Sequence, residues 1–140
     1  MKTRELSPRL FVAGQITASD VGIAAAQGVK TIICNRPDSE AADQPSSHEI
    51  AKAASGHGIE FVYVPVVSGS ISDDNVRDFT LAYESAVLPI LAYCQSGMRS
   101  TCLWAMSEVS SQGVDTVLAA AFEAGYDLAG LRLRLESLAK

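Results

Sequence analysis

Leu91-Ala92-Tyr93-Cys94-Gln95-Ser96-Gly97-Met98-Arg99-Ser100 joins an apolar segment to a helical pattern through a loop that holds one glycine. The apolar segment reads as a strand, and it ends at a cysteine. Such a turn can cradle a tetrahedral anion beside a nucleophilic sulfur. The N–H groups of Gln95, Ser96, Gly97, Met98, Arg99 and Ser100 can face one point, and a helix predicted from Ser100 adds the positive end of its dipole. Arg99 adds a fixed cation with a planar fork of donors. The field that holds an anion also favours the thiolate form of Cys94, so one site supplies both nucleophile and pocket. Gly97 permits a backbone angle or a close approach that a side chain would block. Ser100 reads as the helix N-cap, and a hydrogen bond to the Cys94 sulfur is compatible with that role. The plainer readings are a core cysteine and a solvated arginine; a cysteine at a strand's end, followed by glycine and arginine, argues against both.

Outward from this loop, strand and helix patterns alternate. Leu10 to Ala13 reads as a short strand, and a helix follows from Ala18 to Gln27 with Thr17 or Ser19 as N-cap and Gly28 behind it. Lys30 to Cys34 is a second strand, rich in β-branched residues. Ser46 and Glu49 have capping-box spacing for a helix that runs to about Ser55. Ile59 to Val67 is a long apolar run, expected as a central strand. Ser72 caps a helix from Asp73 to about Ser85, Pro89 to Tyr93 is the fourth strand, and Ser100 to Ser111 is the helix behind the loop. Two more helices fit Thr116 to Ala124 and Leu128 to Leu138. This order predicts an α/β fold: one domain over residues 1–140, with a mainly parallel sheet of four to five strands flanked by helices. Ligands in such folds sit at the carboxyl ends of the strands, where Cys94 falls.

The 140 residues are enough for one domain with a core, and 48% hydrophobic with 19% charged residues is a globular composition. A net charge of −5 argues against nucleic acid as the main partner, while a local field can still hold a small anion. No stretch is long enough to span a membrane, and Met1 to Arg9 is not of signal-peptide type, so a cytoplasmic protein is expected. Cys34, Cys94 and Cys102, with His48 and His57, have neither metal-site nor disulfide-framework spacing. No metal and no organic cofactor is expected.

Further positions have readings of their own. Cys34 ends the second strand and reads either as a buried strand end or as a resolving thiol that pairs with oxidised Cys94. Cys102 lies on a helix with Leu103 and Met106 and reads as inert core. Arg36 and Asp38 either pair with each other and hold their loop, or line the site. Asp73, with Asp74, reads first as a helix N-terminal charge.

Several phrases together resemble the beta-lactamase-hydrolase-like family of small bacterial phosphatase-like domains, variously regarded as phosphatase-like and as sulfur transferases. They are Val12-Ala13-Gly14-Gln15-Ile16, Thr31-Ile32-Ile33-Cys34-Asn35-Arg36-Pro37-Asp38, Gln44-Pro45-Ser46-Ser47, Tyr63-Val64-Pro65-Val66, the Cys94 to Ser100 loop and Ala124-Gly125-Tyr126-Asp127-Leu128. The resemblance spans nearly the whole chain and implies a fold like the dual-specificity tyrosine phosphatases, whose phosphate loop carries a cysteine and an arginine. Two departures stand out. The loop has four residues between Cys94 and Arg99, one fewer than in those phosphatases, and in this it looks like the loop of rhodanese sulfurtransferases. The stretch where the phosphatases keep an aspartate general acid is here Val67-Ser68-Gly69-Ser70-Ile71, without a carboxylate, so Asp38 or Asp73 would have to serve. Leaving-group protonation is worth roughly 10²–10⁴-fold.

Three functions follow in order. The first is a phosphatase in which the Cys94 thiolate attacks phosphorus. The second is a sulfurtransferase that carries a Cys94 persulfide and needs no acid for its first step. The third is a non-enzymatic anion-binding module. The expected partner is a small anionic or phosphorylated molecule.

Overall fold

The computed structural model describes residues 1–140. Five strands, β1 (Thr3–Ser7), β2 (Leu10–Ala13), β3 (Thr31–Cys34), β4 (Glu60–Tyr63) and β5 (Ile90–Tyr93), form one sheet in the order β1-β2-β5-β3-β4. Only β1 runs antiparallel, to β2. The other neighbours are parallel, and their register aligns Ala13, Tyr93, Cys34 and Tyr63 at one edge. All four parallel strands therefore end together, and the loops that follow them gather in one place.

The sheet is covered on both faces. Helices α1 (Ala18–Ala26) and α2 (Ser47–Gly56) pack Val21, Ala24, Ile50 and Ala54 against Ile32, Leu91 and Tyr93. The opposite face carries α3 (Asp73–Ser85), α4 (Met98–Gln112), α5 (Val114–Glu123) and α6 (Arg132–Ala139). There Phe79, Leu103, Trp104, Val117 and Leu135 pack with Ile33, Ile90 and Ala92. Alternate residues of a strand point to opposite faces, so wholly buried β3 and β5 feed both layers. Helix α4 is buried almost all round over Arg99–Met106, as befits an element wrapped by its neighbours.

The caps follow local chemistry. Thr17 and Ser72 each form a reciprocal capping box, with Asp20 and Asn75. Ser46 accepts from the Glu49 N–H without the reciprocal bond.

Three expectations are corrected. The run 59–67 is strand only over Glu60–Tyr63, at the sheet's edge rather than its centre. Beyond Tyr63 the chain leaves the ladder around Pro65, which has no N–H to donate. Val64 and Val66 stay buried there by donating to the Cys34 and Asn35 carbonyls. The central strand is instead the short β5. Strand β1 was not anticipated, because Thr-Arg-Glu-Leu-Ser shows a single apolar residue; its pairing with β2 and the burial of Leu6 hold it. Helix α4 starts at Met98, two residues before Ser100. Its N-cap is Gly97, at a left-handed φ of 94°.

Candidate active site

Cys94 follows β5 directly and is 1% exposed. Its Sγ accepts a hydrogen bond from the Gly97 N–H at 3.1 Å. The left-handed turn at Gly97 brings that amide back over the sulfur. The amides of Gln95, Ser96, Arg99 and Ser100 donate to no other protein atom, and the Met98 amide reaches only the Ser96 hydroxyl, at 3.3 Å. Unpaired N–H groups at a loop and helix start are the donors that bind anions.

The end of β2 and the turn after α5 brace the loop. Gln15 donates from its backbone N–H to the Gln95 carbonyl, and a Cβ on Gly14 would lie 2.8 Å from that same oxygen. The hydroxyl of Tyr126 donates to the Ser96 carbonyl at 3.0 Å, and a Cβ on Gly97 would collide with the tyrosine. The backbone angle and the close approach thus both demand glycine at position 97.

Arg99 is buried and held from outside the loop. Its Nη1 donates to Glu40 Oε2 at 2.7 Å and to the Val66 carbonyl at 2.9 Å, and its Nη2 donates to Glu40 Oε1 at 3.0 Å. Arg36 donates to Glu40 as well, at 2.9 Å, and to Gln15 Oε1 at 3.1 Å. Arg99, and after it Arg36, hold the Glu40 carboxyl below the usual carboxylate range. Glu40 in turn holds the Arg99 guanidinium firmly charged. A guanidinium has five donors; those left free by Glu40 and Val66 remain for a ligand. The Ser100 hydroxyl donates to Asn35 Oδ1 at 2.8 Å. It is neither the N-cap nor a donor to Cys94, because α4 begins earlier.

The loop opens on a cavity of about 320 Å³ whose lining includes Ser68, Gly69, Gln95, Ser96, Arg99 and Arg134. No carboxylate lines it.

The two acids expected as proton donors are not among the cavity's lining residues. The Asp38 carboxylate accepts from the Ser47 N–H and hydroxyl, both at 2.7 Å, at the start of α2. Those bonds hold its carboxyl below the ordinary value, the wrong direction for a general acid at neutral pH. Asp73 is a solvent-exposed first-turn residue of α3 that accepts from Arg134 at 3.1 Å. Arg36 and Asp38 neither pair with each other nor line the cavity. Arg36 braces the site through Glu40, and Asp38 holds its loop onto α2.

Cys34 belongs to the core cluster under α1 and α2, and its Sγ donates to the Arg36 carbonyl at 3.4 Å. Burial pushes its thiol up, which disfavours the thiolate a resolving cysteine needs. All three cysteines are free. Cys102 is buried in α4 at the cavity wall, and burial pushes its thiol up to about 11.

Glu40, Asn35, Tyr126 and Arg134 escaped the sequence reading.

The phosphatase-like domain of Beta-lactamase hydrolase-like protein matches residues 2–112. The chain belongs to this family. The Agrobacterium fabrum Beta-lactamase hydrolase-like protein is 33% identical over 108 residues, which is 77% of this chain and 25% of that protein. The chain thus spans about a quarter to a third of the length of the curated relatives it matches. A crystal structure of a candidate phosphatase from Neisseria meningitidis is 34% identical, covers 96% of both chains and superposes with a TM-score of 0.86. Tk-PTP in its active form shares 13% identity over 98% of this chain and 95% of its own, with a TM-score of 0.72. At that identity the likeness shows the fold, which is that of the tyrosine phosphatases. The α/β architecture and the family expected from the quoted phrases both hold.

Proposed function

We propose that the chain is a cysteine-dependent phosphatase for small anionic, phosphorylated molecules. The observation that carries this reading is a buried sulfur that accepts from the Gly97 amide, in a loop where the amides of Gln95, Ser96, Arg99 and Ser100 lack protein acceptors and the arginine is braced by Glu40. Membership of a phosphatase-like family supports it.

The Cys94 thiolate attacks phosphorus, an S–P bond forms, and the P–O bond to the leaving group breaks. The free loop amides and Arg99 take the equatorial oxygens. Preorganised donors of this kind stabilise the charge that develops there. Water then attacks the cysteinyl-phosphate, the S–P bond breaks, and inorganic phosphate leaves with the thiolate restored. With no carboxylate at the cavity, the leaving oxygen takes its proton from water. Alkyl esters then forgo a factor of roughly 10²–10⁴, while aryl esters, whose leaving groups need less help, lose less.

A second reading draws on the same acid-free cavity and on the four-residue spacing from Cys94 to Arg99. As a sulfurtransferase, Cys94 attacks the outer sulfur of thiosulfate, the S–S bond breaks and sulfite leaves. Cyanide then removes the sulfur as thiocyanate. The reduced protein and Cys94→Ser, assayed with an aryl phosphate and with thiosulfate plus cyanide, separate the two. Phosphate release that needs Cys94 supports the phosphatase. Thiocyanate in its place supports the sulfurtransferase, and anion binding without either product leaves a binding module.

A further inference from the structure

The cavity holds a second cation that the proposed chemistry does not use. Arg134, on α6, lines it together with Arg99 and the loop residues Gln95 and Ser96. The two arginines are held very differently. Arg99 has its charge matched by a carboxylate that is only 26% exposed. Arg134 donates through Nη1 to the Ile71 carbonyl, which fixes the fork in place, and through Nη2 to Asp73. Asp73 is 93% exposed and Arg134 33%. An ion pair so open to solvent is weak, so an anion in the cavity can displace the aspartate. The wall includes the apolar residues Ile71, Met106 and Leu131. On a chain with a net charge of −5, two arginines across an apolar wall form a local field that selects for charge at two points.

We propose that the cavity takes a small molecule with two anionic groups on an apolar spacer. The reacting phosphate sits on the cysteine loop and Arg99, and the second group, a carboxylate or phosphate, sits on the free donors of Arg134. This deepens the phosphatase reading and rests on it for the identity of the first group. Charge-assisted bonds from an arginine fork are among the stronger hydrogen bonds, and a gain of about tenfold in affinity is expected from one.

The test uses binding rather than turnover, so its failure is distinct from failure of the phosphatase reading. Dissociation constants are measured by calorimetry on Cys94→Ser with phenylphosphonate, 4-phosphonobenzoate and 1,4-benzenediphosphonate. At least one doubly anionic ligand should bind about tenfold more tightly than phenylphosphonate, and which one gains tells carboxylate from phosphate. Adding Arg134→Met should bring that ratio close to one, and Arg134→Lys should keep part of it. Adding Asp73→Asn, which frees Arg134, should raise it. A purely structural role for Arg134 would leave the ratio unmoved, and circular dichroism checks that each variant is folded. Equal binding of all three ligands, a ratio unchanged by Arg134→Met, or no phosphonate binding at all would overturn the proposal.

Discussion

Arg99 and Cys94 are separated by one short loop, yet the arginine is positioned by residues far away in the chain. Its partners, Glu40 and the Val66 carbonyl, lie 59 and 33 residues from it. Lysine at this position keeps the charge but cannot span both oxygens of Glu40 while also facing a ligand. Arg99→Lys is therefore expected to lower kcat/KM for an aryl phosphate by about 10²-fold or more, on the scale of losing one preorganised donor. Steady-state kinetics on the folded variant checks this. The acids make the opposite case. Asp38→Asn and Asp73→Asn should leave kcat for an aryl phosphate within about twofold, where loss of a general acid would cost about 10²–10⁴-fold. A large drop in either would return that residue to the proton-transfer role. The loop was legible because its information is local: cysteine, glycine and arginine within six positions, Cys94 to Arg99. Glu40 was not, because no local pattern marks a loop carboxylate that closes on a residue so distant in sequence. The N-cap lies three positions before the expected Ser100, at Gly97, since a glycine N-cap carries no side-chain signature.

At the scale of elements, the junctions that place the loop depend on glycines. A methyl group on Gly14 would press on the Gln95 carbonyl, so the loop backbone itself would have to shift. Gly97 combines its left-handed angle with the Tyr126 contact. Gly97→Ala should destabilise the protein by at least about 1–2 kcal/mol, the cost of that angle for an L-residue, and should also lower activity. Gly14→Ala should depress activity more than stability, because the loop can yield without unfolding the sheet. Thermal melts run beside kinetics separate the two effects. Helix starts at Thr17, Ser46 and Ser72 were readable because capping acts over three residues. The edge position of β4 and the existence of β1 were not. Strand order depends on pairing between distant segments, and an apolar run such as 59–67 looks alike at the centre and at an edge.

Across the whole molecule, the alternation of strands and helices was enough to foresee a parallel sheet with its site at the carboxyl edge. The same edge carries an acid-sensitive clasp. Glu40 and Asp38 both have depressed folded-state values, from Arg99 with Arg36 and from Ser47 respectively. A carboxylate depressed on folding adds stability that is present above its unfolded value and is lost as pH falls through the folded one. Melting temperature should thus hold from neutral pH to about 5 and fall below about 4, where unfolded carboxylates begin to protonate. Glu40→Gln combined with Asp38→Asn should flatten that fall. An unchanged slope in the double variant would place the acid sensitivity elsewhere.

The central claim is that a phosphoryl group passes through the Cys94 sulfur. The most direct measurement is to mix the reduced protein with an aryl phosphate labelled in its phosphate, quench within milliseconds to seconds, and map the label by peptide mass spectrometry. A phosphoryl group on the peptide that holds Cys94, absent in Cys94→Ser and chased away as inorganic phosphate, is the predicted result. Absence of any such adduct, with a sulfane sulfur accumulating on Cys94 after thiosulfate, would contradict it.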